Sequence, residues 1–368
     1  MLSKKILLYP GDGIGIEVIS EAVKALRYIE QNVCGKTERP CHFDLHEVDW
    51  GIRYWQRCGR KDGRDRVVPA DFLDQMKRHD AILLGAIGDP RVLPDHLTLA
   101  PLIAMRQQLD QYVCVRPAKL LRNVVSPLAT KKPIDIVVVR ENSEGEYASI
   151  GGHFKRGTPA EVALEVAVHS RAGIERIVRY AFELSRSRRR HVTLATKSNA
   201  IKHGMVLWDS IFASIAKEYP DVRADKAHVD ALAMDFVRKP HTLDVVVGSN
   251  LFGDILSDIG GAIVGSLGLA PSANINPEKR FPSMFEPVHG SAVDIAGKGI
   301  ANPVGALRAT AMMLDFLELP KAAKLLDRAV EASIEQGVVR TPDLGGKSTC
   351  AQVGDDVIKK MKIFNSDL

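Results

Sequence analysis

The chain has 368 residues, 45% hydrophobic and 26% charged, which is typical of folded globular proteins and excludes disordered or collagen-like chains. The length suggests about two domains or one large α/β unit. No stretch approaches the roughly 18 uninterrupted apolar residues of a membrane span, and the apolar run after Lys5 is too short for a signal peptide. The net charge of +5 suits an anionic small molecule but does not by itself indicate nucleic-acid binding. The five cysteines are scattered without CxxC spacing, so we expect a reducing cytoplasm and neither a disulfide scaffold nor a structural zinc site.

Short apolar and often β-branched runs alternate with segments of helical period along the chain. The runs predict strands at 4–9, 42–48, 80–86, 112–116, 134–140, 192–196 and 243–248. Helices are predicted at 15–31, from Pro69 onwards, and at 170–185, where apolar residues fall on one face and Ser170 is placed to cap. This alternation predicts an α/β architecture with a mainly parallel sheet.

The segment between Tyr147 and His169 departs from this alternation. It contains two short strand-like stretches joined by a polar turn, which predicts an antiparallel arm. Such an arm exposes its edges unless it pairs with something, so it is a candidate dimer clasp. A surface hairpin packed on its own domain fits the pattern equally well.

The loop Pro10–Gly15 lies between a predicted strand and a predicted helix. Its glycines are spaced GxGxG and not GxGxxG, and no acidic residue ends a second strand at the expected distance. By itself the loop is therefore a weak indication of dinucleotide binding.

A second set of polar residues follows the ends of later strands. Asp254 and Asp258 are four residues apart in apolar, glycine-rich surroundings, so they share a helix face and are candidate ligands of a divalent cation. Helix-capping aspartates are the alternative. Three arginines, Arg106, Arg116 and Arg140, offer planar forks that suit carboxylates, although each alone is typical of a surface ion pair.

Three further residues are ambiguous from pattern alone. Tyr147 is either a proton donor or an aromatic packed at the root of the arm, and Lys197 and Asp230 follow extended segments where α/β sheets place reactive groups. The basic run 186–190 ends a helix without interleaved aromatic residues, so we interpret it as a solvated helix terminus and not as a nucleic-acid patch.

Two motifs near the C-terminal third are specific. Residues 285–292 read FEPVHGSA and residues 294–303 read DIAGKGIANP. These motifs resemble the signature of the β-decarboxylating 2-hydroxyacid dehydrogenases, which include isocitrate and 3-isopropylmalate dehydrogenases. The resemblance runs from the 10–15 loop to 341–346, and segments 94–96, 110–112, 140–147, 196–199 and 271–277 look most like the tartrate/D-malate branch.

The resemblance implies a two-domain fold that is not a Rossmann fold. Residues 1–100 and 250–368 would form a large cofactor-binding domain, and residues 101–249 a small domain with the arm at about 147–169 and the dimer interface. It also implies a cytoplasmic homodimer with shared active sites, and leaves open whether dimers pair into tetramers. The partners expected are a dicarboxylate substrate and a second copy, without nucleic acid or membrane.

The implied reaction is oxidation of a malate-like 2-hydroxy acid by NAD⁺, followed by loss of CO2. The metal ligands for Mg²⁺ or Mn²⁺ match Asp254 and Asp258, with Asp230 supplied by the partner subunit, and a monovalent cation such as K⁺ stays open. Arg106, Arg116 and Arg140 match the carboxylate clamp. Lys197, also delivered across the dimer, matches the base, and Tyr147 matches the acid that protonates the enol carbon.

The cofactor contacts implied by the resemblance lie in the signature motifs: Glu286, His289, Gly290, Ser291, Ala292, Asp294 and Asn302. Asp294 would repel the 2′-phosphate of NADP⁺, so NAD⁺ is expected. Val293 replaces the family's usual proline before Asp294.

The segment before Arg106 departs from the family's known members. Leu99, Ala100 and Leu102 stand where isocitrate and isopropylmalate enzymes carry polar or acidic residues, and the tartrate/D-malate enzymes also differ here. An apolar lining favours hydrogen or a small alkyl group at C3, so D-malate or a 3-alkylmalate fits better than tartrate. The alternatives are an isopropylmalate-type or isocitrate-type enzyme, and a catalytically idle paralogue with a binding or regulatory role.

Overall fold

The structure is a computed structural model that describes residues 2–36, 38–59, 65–130 and 132–366. The strands are β1 (Leu2–Gly11), β2 (Cys41–Glu47), β3 (Ala81–Ala86), β4 (Val113–Lys119), β5 (Asp135–Glu141), β6 (Gly151–Phe154), β7 (Val162–Glu165), β8 (His191–Thr196), β9 (Arg223–His228), β10 (Val245–Gly248), β11 (Pro271–Ile275) and β12 (Ser283–Pro287). The helices are α1 (Gly15–Asn32), α2 (Ile52–Tyr54), α3 (Phe72–Met76), α4 (Asp95–Thr98), α5 (Ala100–Gln108), α6 (Arg171–Arg186), α7 (Gly204–Ala216), α8 (Val229–Arg238), α9 (Asn250–Ile263), α10 (Val304–Phe316), α11 (Pro320–Gln336) and α12 (Cys350–Ser366).

Within these described ranges, ten strands form one sheet in the order β2-β1-β3-β12-β11-β4-β5-β10-β8-β9. The neighbours pair in parallel except around β11 and β4, where β12–β11, β11–β4 and β4–β5 are antiparallel. The strands β3 and β10 are buried along their whole length, as their continuous apolar runs require, and β12 is buried as well. The predicted α/β class and mainly parallel sheet are confirmed.

The predicted strands and helices recur with boundaries shifted by a few residues. Ser170 caps α6 as predicted, because its hydroxyl accepts a hydrogen bond from the Gly173 N–H at 2.9 Å. The face predicted to be apolar is buried in α6. The helix expected from Pro69 begins only at Phe72 and is five residues long. β9, β11 and β12 were not predicted as strands.

The arm is the antiparallel hairpin of β6 and β7. Every residue of these two strands is exposed, including Phe154 at 66% and Leu164 at 63%. A hairpin packed on its own domain would bury one face of the pair. The hairpin therefore presents apolar side chains that this chain leaves uncovered.

Two further expectations concern cysteines and membranes. Cys34 and Cys41 are joined by a disulfide where α1 leads into β2, with Cα atoms 5.2 Å apart. The spacing of the cysteines did not predict this bond, because the two residues meet only through the turn that follows α1.

In the described part of the chain, no helix is both long enough and apolar enough to cross a bilayer.

Candidate active site

An arginine cluster, Arg106 on α5, Arg116 on β4 and Arg140 near the end of β5, lies beside the first turns of α9. Arg116 donates to Asp254 at 3.1 Å and to Asp258 at 3.4 Å, and Arg140 donates to the same oxygen of Asp254. The two aspartates lie one helical turn apart on the same face of α9, as their spacing predicts. The cluster therefore converges on the pair of carboxylates that the sequence singled out as metal ligands.

Asn250, the first residue of α9, holds Arg140 in place. Its side-chain oxygen accepts from Arg140 Nε at 2.8 Å and from Nη2 at 2.6 Å, and its amide donates to the Glu144 carbonyl at 2.8 Å. Both side chains are almost completely buried. Sequence reasoning missed Asn250, although its position directly after a buried strand and before a helix was a usable signal.

Tyr147 joins the same cluster. Its hydroxyl donates to Asp254 Oδ2 at 3.0 Å, and the Arg140 guanidinium lies 5.4 Å from the centre of its ring. Its backbone carbonyl accepts from Gln107 at 3.1 Å, which ties the root of the arm to α5. The sequence left open whether Tyr147 is a proton donor or an aromatic packed at the root of the arm. Its hydroxyl lies in a polar site, which agrees with the first interpretation.

Burial and neighbouring charges set the protonation of these groups. Burial raises the pKa of Tyr147, and the charge of Asp254 raises it further, so the phenol stays protonated. Burial opposes ionisation of Asp254, but the charges of Arg140 and Arg116 keep its pKa below the usual range. Burial raises the pKa of Asp258. Burial, together with the charge of Arg106, lowers the pKa of Arg140 to about 10, which leaves it charged at neutral pH.

Glu286 connects the arginine cluster to the cofactor motif. It ends its strand next to Arg106, whose guanidinium donates to it at 3.3 Å, and it also accepts from Asn274 at 2.7 Å. Asn274 in turn accepts from Asn142 at 2.9 Å. This buried chain runs across β12, β11 and the end of β5. Two of the strands that sequence reasoning missed, β11 and β12, thus carry most of it.

Lys197 and Asp230 form a second and separate group. Lys197 follows β8, Asp230 lies on the first turn of α8, and their charged atoms are 2.9 Å apart. The hydrogen bond from Lys197 lowers the pKa of Asp230. The described residues of one chain contain no cluster of three His, Cys, Asp or Glu residues fit for a metal ion. Asp230 is therefore not beside Asp254 and Asp258 within one chain.

The oxygen donors of Asp254 and Asp258 fit Mg²⁺ or Mn²⁺, which prefer carboxylate and water ligands. The cofactor motif also has features that fit a dinucleotide. His289 Nε2 is buried without a hydrogen-bond partner, and Asp294 is exposed. Asn302 is buried and donates to Asp343 at 2.9 Å, while Ser291 accepts from the Ile14 N–H at 2.8 Å.

The glycine-rich loop supports this motif instead of forming a phosphate cradle of its own. A Cβ on Gly13 would lie 1.9 Å from the Ser291 carbonyl oxygen, and the φ of Gly13 is +56°. Glycine is therefore required where the loop touches residues 290–292. Gly290 and Ala292 lie on the same stretch, and Ala292 itself has a φ of 39°.

The three apolar residues before Arg106 do not share one environment. Leu99 is 37% exposed, Leu102 is half-buried against the core cluster that contains Met105, and Ala100 lines a cavity with Val68 and Leu97. Leu99, Leu102 and Arg106 have the spacing of one helix face, which Ala100 does not share.

Three arginines of the basic run 186–190 form ion pairs within the chain. Arg186 pairs with Asp221 at 3.0 Å, and Arg188 pairs with Asp135 at 2.9 Å and with Asp244 at 2.8 Å. These pairs agree with a helix terminus and leave little free charge for a nucleic-acid backbone.

Comparison with known proteins gives the family. The family model described as isocitrate/isopropylmalate dehydrogenase matches residues 5–357. The chain belongs to the isocitrate/isopropylmalate dehydrogenase family. It is 49% identical over 363 residues to a probable tartrate dehydrogenase/decarboxylase of Agrobacterium vitis, covering 97% of each chain.

One further relative and one solved structure are also similar to this chain. It is 45% identical over 368 residues to a D-malate dehydrogenase [decarboxylating] of Escherichia coli K12, covering 98% of this chain and 99% of the relative. The isocitrate dehydrogenase structure from Methylococcus capsulatus superposes with a TM-score of 0.84 at 36% identity, covering 98% and 99% of the two chains. The family and its relatives support an oxidoreductase of the decarboxylating 2-hydroxyacid dehydrogenase class.

Proposed function

We propose that the protein oxidises and decarboxylates a malate-like 2-hydroxy acid, with NAD⁺ as the hydride acceptor and Mg²⁺ or Mn²⁺ as the metal. The observation that carries this proposal is the convergence of Arg116, Arg140 and Tyr147 on Asp254 and Asp258, with Arg106 held nearby by Glu286. A divalent cation held by Asp254 and Asp258 would offset their charge and leave the site net positive, which suits a small dicarboxylate. The presence of Lys197, Tyr147 and all three aspartates argues against the idle-paralogue alternative.

The arginine cluster binds and orients the substrate in this proposal. Guanidinium forks hold carboxylates in two parallel hydrogen bonds, which fixes the 2-carbon relative to the hydride acceptor and retains the leaving carboxylate until CO2 departs. Asp254 and Asp258 hold the metal together with Asp230 of a second copy. When bound, the metal supplies the electron-withdrawing centre that decarboxylation needs.

Two side chains move protons. Lys197 takes the proton of the 2-hydroxyl, and Tyr147, kept protonated by burial and by Asp254, delivers a proton to the enol carbon after CO2 leaves. The cofactor binds along the 286–302 motif, where the negative charge of Asp294 disfavours the 2′-phosphate of NADP⁺. Glu286 supports the cofactor side by fixing Arg106.

Two copies would complete one site. The Lys197–Asp230 pair stands apart from the arginine cluster, and α8 and α9 expose apolar side chains, with Met234 at 55% and Ile255 at 51%. Together with the uncovered arm, these surfaces are apolar areas that a homodimer buries. The division into a large domain (1–100 and 250–368) and a small one (101–249) remains part of this proposal.

We infer the substrate from the apolar side chains of Leu99 and Leu102 beside Arg106, which we call the apolar wall. Leu99 and Leu102 offer no hydrogen-bonding partner to a polar C3 substituent, so we expect D-malate or a small 3-alkylmalate ahead of tartrate and isocitrate.

A steady-state panel tests the proposal. D-malate, tartrate, 3-methylmalate, 3-isopropylmalate and isocitrate are each assayed with NAD⁺ and NADP⁺, with and without Mn²⁺. We expect Mn²⁺-dependent NADH formation with D-malate or 3-methylmalate. No reduced cofactor from any substrate would indicate the idle paralogue, and efficient turnover of isocitrate would contradict our account of the apolar wall.

A further inference from the structure

One carboxylate on α7 binds the side chains on both sides of Lys197. Asp209 accepts a hydrogen bond from the Thr196 hydroxyl at 2.6 Å through Oδ1, and from the Ser198 hydroxyl at 2.8 Å through Oδ2. Lys226 on β9 donates to the same Oδ2 at 2.5 Å. The Asp209 side chain is only 14% exposed. Neither pattern nor motif drew attention to this residue in the sequence.

The two hydrogen-bonded hydroxyls hold the chain on each side of the lysine. Thr196 ends β8 and Ser198 comes two residues later in the turn that follows, so their bonds to Asp209 fix the backbone immediately before and after Lys197. Lys197 itself reaches a different carboxylate, Asp230, at 2.9 Å.

We propose that Asp209 is a positioning residue for Lys197, because it fixes the backbone on both sides of the lysine and so restricts where the ammonium group can lie. The inference rests on the proposed function, in which Lys197 removes the hydroxyl proton. A lysine side chain has four rotatable bonds, and the cost of holding it in one orientation falls when the segment that carries it is rigid.

The charge of Asp209 is compensated without involving the catalytic lysine. Burial opposes its ionisation, but hydrogen bonds from Lys226, Thr196 and Ser198 lower its pKa, so it is present as a carboxylate with a cation of its own. Asp209 therefore acts on Lys197 through the chain and not by direct charge attraction.

Two sets of variants separate positioning from a general contribution to folding. Asp209→Leu removes all three hydrogen bonds. Thr196→Val combined with Ser198→Ala removes only the hydrogen bonds from the two hydroxyls, which we call the tethers, and retains the Asp209–Lys226 pair. Both are called tether variants below. Asp244→Asn is the matched control, because Asp244 is also buried and accepts hydrogen bonds from Arg188 and Arg189, but it lies just before the amino end of β10.

The first readout is the reactivity of individual lysines toward acetic anhydride, measured on the intact enzyme by peptide mass spectrometry. This readout needs no turnover. We expect both tether variants to raise the labelling rate of Lys197 at least about threefold, because the ion pair with Asp230 is held less firmly. The labelling of Lys24 and Lys360, which lie on other elements, should not change, and Asp244→Asn should leave Lys197 unaffected.

The second readout compares the change in kcat with the changes in KM and in the Kd for Mn²⁺. We expect kcat to fall about 10- to 100-fold in the tether variants, the size that a displacement of about 1 Å produces, with KM for the substrate and Kd for Mn²⁺ within about twofold of the parent. Restoring the hydroxyls singly should recover part of the loss.

The outcomes are distinguishable. Unchanged labelling of Lys197 in both tether variants would overturn the proposal, as would a loss of kcat equal to that of Asp244→Asn. Changed labelling, combined with full activity of Lys197→Ala, would instead show that Asp209 positions the lysine while the proposed function assigns the base wrongly.

Discussion

Asp254 on α9 and Asp230 on α8 are both expected to bind one metal ion, yet the chain surrounds them differently. Asp254 is bound by two buried arginines and a tyrosine hydroxyl, all from the same chain. Asp230 has a 66% exposed side chain and one partner, Lys197. Asp254 thus finds its countercharges within one chain, whereas the largely exposed Asp230 has a single ion-pair partner. This difference supports our proposal that the Lys197–Asp230 pair acts in the site of a second copy.

The largest effect should come from Asp254→Asn. The change leaves Arg116 and Arg140 without their shared countercharge and removes a metal ligand, so we expect Mn²⁺-dependent turnover to fall by about 10³-fold or more. Electron paramagnetic resonance titration of Mn²⁺ should show weakened binding. Asp327→Asn, which alters a carboxylate bonded to Arg308 on another pair of helices, is the control and should retain both properties.

Asn250→Ala should have the next largest effect. Without the amide oxygen, two buried N–H groups of Arg140 lose their acceptor, which costs about 1–3 kcal/mol and should lower kcat/KM by about tenfold or more. The effect should appear mainly in KM if Arg140 binds a substrate carboxylate. Asn365→Ala, at an asparagine that donates to the Asn32 carbonyl on a distant helix pair, is the comparison, and an equal loss there would contradict the role given to Asn250.

A third change tests whether the exposed arm forms the interface with a second copy of the chain. Phe154→Ser combined with Leu164→Ser removes the two most exposed large apolar side chains of the arm, and in a symmetric dimer each change counts twice. We expect the dimer dissociation constant, measured by analytical ultracentrifugation, to rise about 10- to 100-fold. Val338→Ser, at another exposed apolar residue, should leave it unaltered. An unchanged constant in the arm variant would remove the arm from the interface.

The smallest effects are expected in the apolar wall. Leu99→Ser adds a polar group near Arg106 and should shift the ratio of kcat/KM for tartrate over D-malate upward by about fivefold. Ala100→Val should change that ratio by less than about twofold, because Ala100 lines a different cavity. Equal effects of the two variants would mean that our placement of the wall is incorrect.

The sequence predicted strands such as β10 because their apolar runs are continuous, and the helices α1 and α6 because their helical periods are regular. It did not predict the parallel strand β9 or the long helices α10, α11 and α12. It did not predict β11 and β12, since their polar residues Asn274 and Glu286 interrupt the apolar pattern. Those residues are tolerated in the core only because they bond to each other and to Arg106. Such a chain of partners depends on strand order, which no local pattern contains.

Some site residues could be predicted from the sequence, and others could be found only in the fold. Asp254, Asp258 and Tyr147 stand in recognisable motifs, and the structure brings them together with the arginine cluster. Asn250 and Asp209 act through residues that are distant in sequence, Arg140 and Thr196, so their roles emerge only from the fold. The disulfide between Cys34 and Cys41 was missed for a similar reason, because the turn that joins them sets their distance.

The most direct test of a shared site is subunit complementation. Lys197→Ala and Asp254→Asn chains, each inactive alone, are dissociated, mixed in equal amounts and reassociated. If one site uses the arginine cluster of one protomer and Lys197 of the other, random mixing restores about one quarter of parental activity, because half of the dimers are mixed and each has one intact site. Mixing that restores no activity, with mixed dimers verified by native mass spectrometry, would contradict the account.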